Sequence, residues 1–176
     1  LCDISYPLYP SKVIILKINK GNVIVNKVFL VSVVLTVGWM YFMSASVKPV
    51  NSKQIVAFEL AKTPEAAADI IKDWTEIDAI GKAKKSIYLD FVFLVMYSFS
   101  IALGCLVLSK FTENAFLIQS GLWLSRVIVI AGLSDVIENL AMLKTLSGVI
   151  TIQMTAVAYW FAILKFSIVI VSMLFV

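Results

Sequence analysis

The chain has 176 residues, 61% of them hydrophobic, and a mean hydropathy of +0.96, which is more apolar surface than a soluble domain of this size can bury. Of fifteen Lys and Arg residues only Arg126 and Lys165 fall inside apolar segments, so the formal charge of +4 reads as membrane-surface charge; no basic run with interleaved aromatics suggests a nucleic-acid partner. There is no histidine, which removes His-ligated haem, His-based zinc and His-dependent triads, and the two cysteines, Cys2 and Cys105, form no CxxC motif.

Residues 1–27 read as a basic N-terminal tail, disordered or folded into a small hairpin, with KVIILKI and NVIV flanking a Lys-Gly turn. The first methionine is Met40, and this tail carries little weight in the functional reading. The first span is residues 28–46, with Trp39 and Tyr41 toward its far end, where aromatic rings favour the interface. Its apolar run is longer than a signal-peptide core, which predicts an uncleaved helix.

Residues 47–85 hold seven lysines and six acids. Within them TPEAAADIIKDW predicts a short amphipathic helix over about 64–74. Thr63 is its N-cap, Pro64 is at the first position, and Ala66, Ile70, Ile71 and Trp74 share a face. A cap on the protein's own bundle is the preferred placement over the membrane surface. Further spans are expected at 86–109, 115–146, where Gly148 supplies the stop, and 152–176. The expected fold is all-α, a four-helix integral membrane bundle with a short amphipathic helix in the first inter-helix loop. The termini share one side. Lysine counts lean toward a cytoplasmic 47–85 loop, in a region long enough to weaken the rule.

The charges inside the spans raise the functional question, because an isolated charge in hydrocarbon costs at least a few kcal/mol. At about 100° per residue, Gly121, Ser125, Gly132, Asp135 and Asn139 share one face of the third span, Glu138 lies on its flank, and Arg126 points the opposite way. In the fourth span Thr151, Ala158, Lys165 and Ser172 recur every seven residues. A Lys165–Asp135 bridge is expected across the short loop. In the second span Asp90, Tyr97 and Gly104 share a face. Asp90 is expected near Lys144 or Lys85, with Glu138 close enough to join its hydrogen-bond network, and Arg126 near the opposite interface. Thus Asp90, Tyr97, Asp135, Glu138, Asn139 and Lys165 form a candidate buried polar network or ligand or ion site, and Arg126 and Lys144 are interface charges. Trp160 reads as packing or an interface anchor, and Cys105 as an apolar filler. Asp135 and Glu138 sit one turn apart as in four-helix carboxylate proteins, but the Glu-x-x-His motifs of those sites are absent, so no metal and no cofactor is expected.

Three segments, VAFELAKTPEAAADII (56–71), YLDFVFLVMY (88–97) and AGLSDVIENLAMLKTL (131–146), resemble a group of small uncharacterised bacterial four-helix membrane proteins with FELA-x-TPE, LDF-x-FL and D-x-x-EN segments in the same order. The resemblance spans residues 28–176. It implies the same topology and a bacterial cytoplasmic (inner) membrane, and it supplies no activity or substrate. The positions matching the group's polar residues are Asp90, Asp135, Glu138, Asn139 and Lys165.

Three functions compete. The favoured one is a non-enzymatic membrane subunit or scaffold whose acids and bases nearly balance and neutralise each other. The alternative is a transporter, channel or lipid- or small-molecule-binding protein, which requires a polar cavity reaching Asp135 from one side. The third is an enzyme acting on lipid or quinone, with Asp135, Glu138 and Tyr97 as its only candidates and no catalytic residue assigned. Partners beyond the lipid bilayer, a homo-oligomer or another membrane protein, stay open.

Overall fold

The computed structural model describes residues 11–176, with side chains from Val23 onward. Among these the chain is entirely helical: α1 (Ser11–Ser46), α2 (Ser52–Glu59), α3 (Pro64–Glu76), α4 (Ile80–Leu108), α5 (Ala115–Leu146) and α6 (Ile152–Phe175). Four helices are long and apolar enough to cross a membrane: Val23–Ser46 within α1, then α4, α5 and α6. Large apolar residues such as Leu30, Val34, Val95, Leu133 and Leu174 are exposed along them. In water that pattern would be untenable, whereas lipid solvates it. This is an integral membrane protein, a four-helix bundle.

Of the two readings of the tail, a disordered segment or a small hairpin, the hairpin is not what the described part adopts, because α1 starts at Ser11 and runs through Gly21. The apolar residues there come in runs, Val13–Leu16 and Val23–Val25, rather than in the strict alternation of a half-buried strand, and an isolated two-stranded ribbon is unstable alone. Residues 1–10 of the expected tail lie outside the described residues.

Each span packs mainly on its chain neighbours: α1 on α4, α4 on α5, α5 on α6. Two glycines let α5 approach α4. A methyl group on Gly121 would stand 2.8 Å from the Cys105 carbonyl oxygen, and one on Gly132 would stand 3.0 Å from Ser98 Oγ. Small residues at a contact bring helix backbones together in lipid, where packing replaces the hydrophobic drive. α5 ends in a Schellman motif, with Gly148 at φ +99°, Gly148 N–H donating to the Thr145 carbonyl and Val149 N–H to that of Lys144. At about 1.5 Å per residue its 32 residues span about 48 Å, more than a ~30 Å hydrocarbon core.

The first inter-helix loop carries two helices where one was expected. α3 begins as its sequence implies, with Thr63 Oγ1 accepting from Ala66 N–H and Pro64 at the first position. Its buried residues are Ala67 and Trp74, with Ile70 and Ile71 half-buried; Ala66 is exposed instead of sharing that face. The additional helix, α2, opens on a complete capping box: Gln54 N–H donates to Asn51 Oδ1, and Asn51 N–H donates to Gln54 Oε1. Trp74 is fully buried and meets Phe58 edge-on, with ring centroids 5.2 Å apart. Ala79 just before α4, Ala83 and Ile87 within it, and Ala141, Met142 and Leu146 of α5 complete this core. Alanines at the ends of the spans leave room for the two loop helices, which therefore cap the bundle. Phe58 anchors α2, and the next residue, Glu59, is turned inward with it.

Candidate functional site: an acid-rich cluster around Lys165

Lys165 lies on the small-residue stripe of α6, between the buried Ala158 and Ser172. Its Nζ donates to Glu138 Oε1 at 2.9 Å and to Asp135 Oδ1 at 3.1 Å, and it stands 3.6 Å from Glu59 Oε2. The other oxygen of Asp135, Oδ2, accepts from the Tyr97 hydroxyl at 2.9 Å. Asn139 Nδ2 donates to Asp90 Oδ2 at 2.8 Å. Glu138 is fully buried, Asn139 and Asp135 nearly so, and Lys165 is 6% exposed.

Helical geometry explains how α5 distributes its contacts. At about 100° per residue, Glu138 lies about 60° to one side of Asp135 and Asn139 about 40° to the other. Glu138 faces α6 and Lys165. Asn139 faces α4 and Asp90. Asp135, between them, gives one oxygen to each neighbour.

The expected Lys165–Asp135 contact is present, but Glu138 is on Lys165 rather than in a network with Asp90. Asp90 takes Asn139 as its partner, not Lys144 or Lys85, both of which are exposed. Arg126 is exposed too, and neither it nor Lys144 makes an ion pair among the described residues. Trp160 is exposed and packs edge-on with Tyr159. Cys105 is a buried free thiol.

Glu59 is the member that sequence reasoning missed. It lies outside the spans, in a charge-rich loop where an acid ordinarily faces water. The Asn51-x-x-Gln54 box signals a helix start, and Phe58 beside Glu59 signals a buried end, but nothing in the sequence aims that end at Lys165. The position is unfavourable for an anion, at the negative end of a helix dipole. Burial pushes the Glu59 carboxyl above its ordinary value, against the pull of Lys165.

Three carboxylates therefore surround one ammonium, a formal surplus of two negative charges before Asp90 is counted. Two oxygens, Glu59 Oε2 and Glu138 Oε2, are buried without a hydrogen bond among the described residues. No set of three or more acidic or thiol side chains among the described residues converges as metal ligands would.

Two cavities reach this cluster. One, of about 390 Å³, lies beside α2 between the C-terminal end of α1 and the start of α4, and Glu59, Asp90 and Asn139 line it. The other, of about 500 Å³, is an almost wholly apolar groove between α1 and α6, with Tyr97, Asp135 and Lys165 at its back. Phe93 and Phe166 line both and stand between them.

Compared with known proteins, the chain matches no family model, no curated sequence and no solved structure. Its reading rests on the geometry.

Proposed function

We propose that this protein is a membrane transporter or small-molecule-binding protein whose acid-rich cluster is the working site, in preference to a passive subunit or scaffold. The observation that carries this reading is the charge ratio. A structural bridge is expected to be close to neutral, because each unpaired charge in a low-dielectric interior costs several kcal/mol. Here one ammonium faces Glu59, Asp135 and Glu138. The surplus needs a counter-charge, either a proton on a carboxyl or a cation from outside. The groove that reaches Asp135 is apolar rather than the polar cavity expected there, and it is the cavity lined by Glu59 and Asp90 that offers such an exchange its access. An enzyme is a weaker reading, since Asp135 and Glu138 are both engaged by Lys165 and the hydroxyl beside Asp135, that of Tyr97, is committed to it as a donor. The resemblance of three segments to bacterial four-helix proteins supports a bacterial cytoplasmic membrane as its setting.

The test is modification by an apolar carbodiimide, which reacts with protonated carboxyls in apolar surroundings. In native membranes an adduct is expected on a carboxyl of the cluster, Glu59, Asp135 or Glu138, mapped by peptide mass spectrometry, and at Glu59 with a rate that falls as pH rises. Complete resistance at all three across the pH range would mean a sealed, neutralised bundle, and the scaffold reading would then stand.

A further inference from the structure

The proposed function leaves open what the cluster meets from outside, and the cavity beside α2 narrows it. Among the described residues its walls carry two carboxylates, Glu59 and Asp90, and no Lys or Arg. Glu59 is 7% exposed, and its buried Oε2 has no hydrogen bond among the described residues while standing 3.6 Å from Lys165. Asp90 commits Oδ2 to Asn139, which fixes the carboxylate's orientation. The remaining walls are largely apolar or aromatic, including Met40, Met43 and Met142 together with Tyr41, Phe93 and Phe166. Methionine adapts to varied shapes, and aromatic faces attract cations.

Each feature excludes a class. An anion would meet two carboxylates without a basic partner. Among the described residues no three His, Cys, Asp or Glu side chains converge here to hold a bare metal ion. A neutral apolar molecule would engage neither carboxylate, leaving bound protons alone to offset the acids. At about 390 Å³ the space suits a small organic molecule.

We propose that the cavity between α1, α2 and α4 is a binding site for an organic ammonium, its charged nitrogen between Glu59 and Asp90 and its apolar body against the methionines and aromatic rings. This rests on the reading of the cluster as a working site. The bound cation offsets the surplus negative charge, and it competes with Lys165 for Glu59. The same chemistry is carried by free amines and by the ammonium headgroup of phosphatidylethanolamine, a component of many membranes, and the cavity stands beside α2, at the loop-helix end of the bundle.

The experiment is equilibrium binding of radiolabelled phenethylammonium to the full chain in phosphatidylglycerol nanodiscs, with benzylammonium, tetraethylammonium and neutral 2-phenylethanol as competitors. Saturable binding is expected, displaced by the ammonium compounds and not by the alcohol, and at least tenfold weaker in Glu59→Gln and Asp90→Asn. Met43→Trp, which fills the cavity without touching an ion pair, is expected to lose binding while the thermal melt is retained, so the result does not depend on how the acidic variants fold. Loss of binding when phosphatidylethanolamine is added to the discs identifies the headgroup as the natural source; unchanged binding identifies a free amine. The proposal is overturned if none of the ammonium compounds binds, if the alcohol competes equally, or if Met43→Trp binds as the parent does. Carbodiimide reaction at Asp135 or Glu138 separates the two failures. With that reaction intact and no amine bound, only the ligand class falls; with both absent, the working-site reading falls too.

Discussion

Lys165 and Asp135 are bonded to each other, yet their removal has unequal consequences. Replacing Lys165 by Met takes the single ammonium from three buried carboxylates. Stranding buried charge in this way typically costs about 3–5 kcal/mol. Asp135→Asn removes one of the surplus acids and leaves Lys165 paired with Glu138 at 2.9 Å. We expect K165M to lower the detergent melting temperature strongly and D135N to change it little; equal losses would mean that the cluster behaves as a simple pair. The double variant is not a full rescue, since Glu59 and Glu138 keep their charge. Glu59 adds a pH dependence. Its carboxyl is raised by burial from an ordinary value of about 4.5, so the folded state holds its proton more tightly than the unfolded chain. That contribution to stability is present below about pH 4.5 and is lost as pH rises through the higher folded value. Lys165, Asp135 and Glu138 face the same carboxyl. Glu59→Gln should therefore flatten the decline of melting temperature with rising pH, and an unchanged slope would assign the dependence to another group.

At the scale of the helices, the seven-residue recurrences of α4, α5 and α6 were legible because a buried stripe must repeat with the helical turn. The stripes marked which faces turn inward, including Ala158, Lys165 and Ser172 of α6. They did not mark how closely two helices approach. Gly121 and Gly132 look alike in sequence, yet an added methyl meets rigid backbone at Gly121 and the rotatable Ser98 hydroxyl at Gly132. Gly121→Ala should destabilise by about 1–3 kcal/mol, the usual range for overpacking. Gly132→Ala should cost much less, since Ser98 can turn away. Unfolding curves in mixed micelles compare the two, and equal values would place the tight contact elsewhere. α2 shows the opposite difficulty. Its start is written in Asn51 and Gln54, but eight residues leave too short a pattern for period counting to register. Its stable form comes from Phe58 packing on Trp74.

The molecule as a whole is not a closed bundle. α1 is tied to α4 by the Thr36–Ser100 hydroxyl contact at 2.8 Å and by Trp39 Nε1 donating to the Leu89 carbonyl at 3.3 Å, and a groove separates it from α6. Val33 and Val169 stand on opposite walls of that groove, while Cys105 is sealed in the core. A lipid-soluble maleimide should modify Val169→Cys readily and leave Cys105 untouched in the same membranes. If the introduced thiol is as unreactive as Cys105, the groove is closed in the bilayer.

Composition and hydrophobic periodicity were enough for the class, the four spans, the stop at Gly148, the capping role of α3 and the inward facing of Asp135 and Lys165, because in lipid every backbone group must bond within its own helix and every charge must face protein. The partners of those charges were decided only when the helices came together. Asn139 rather than Lys144 meets Asp90, and Glu138 joins Lys165, because α4 and α6 lie on opposite flanks of Asp135. Glu59 enters from a separate helix more than seventy residues before Asp135, and no local pattern carries a contact of that range. The surplus of acid over base, and with it the functional reading, is thus a property of the assembled fold.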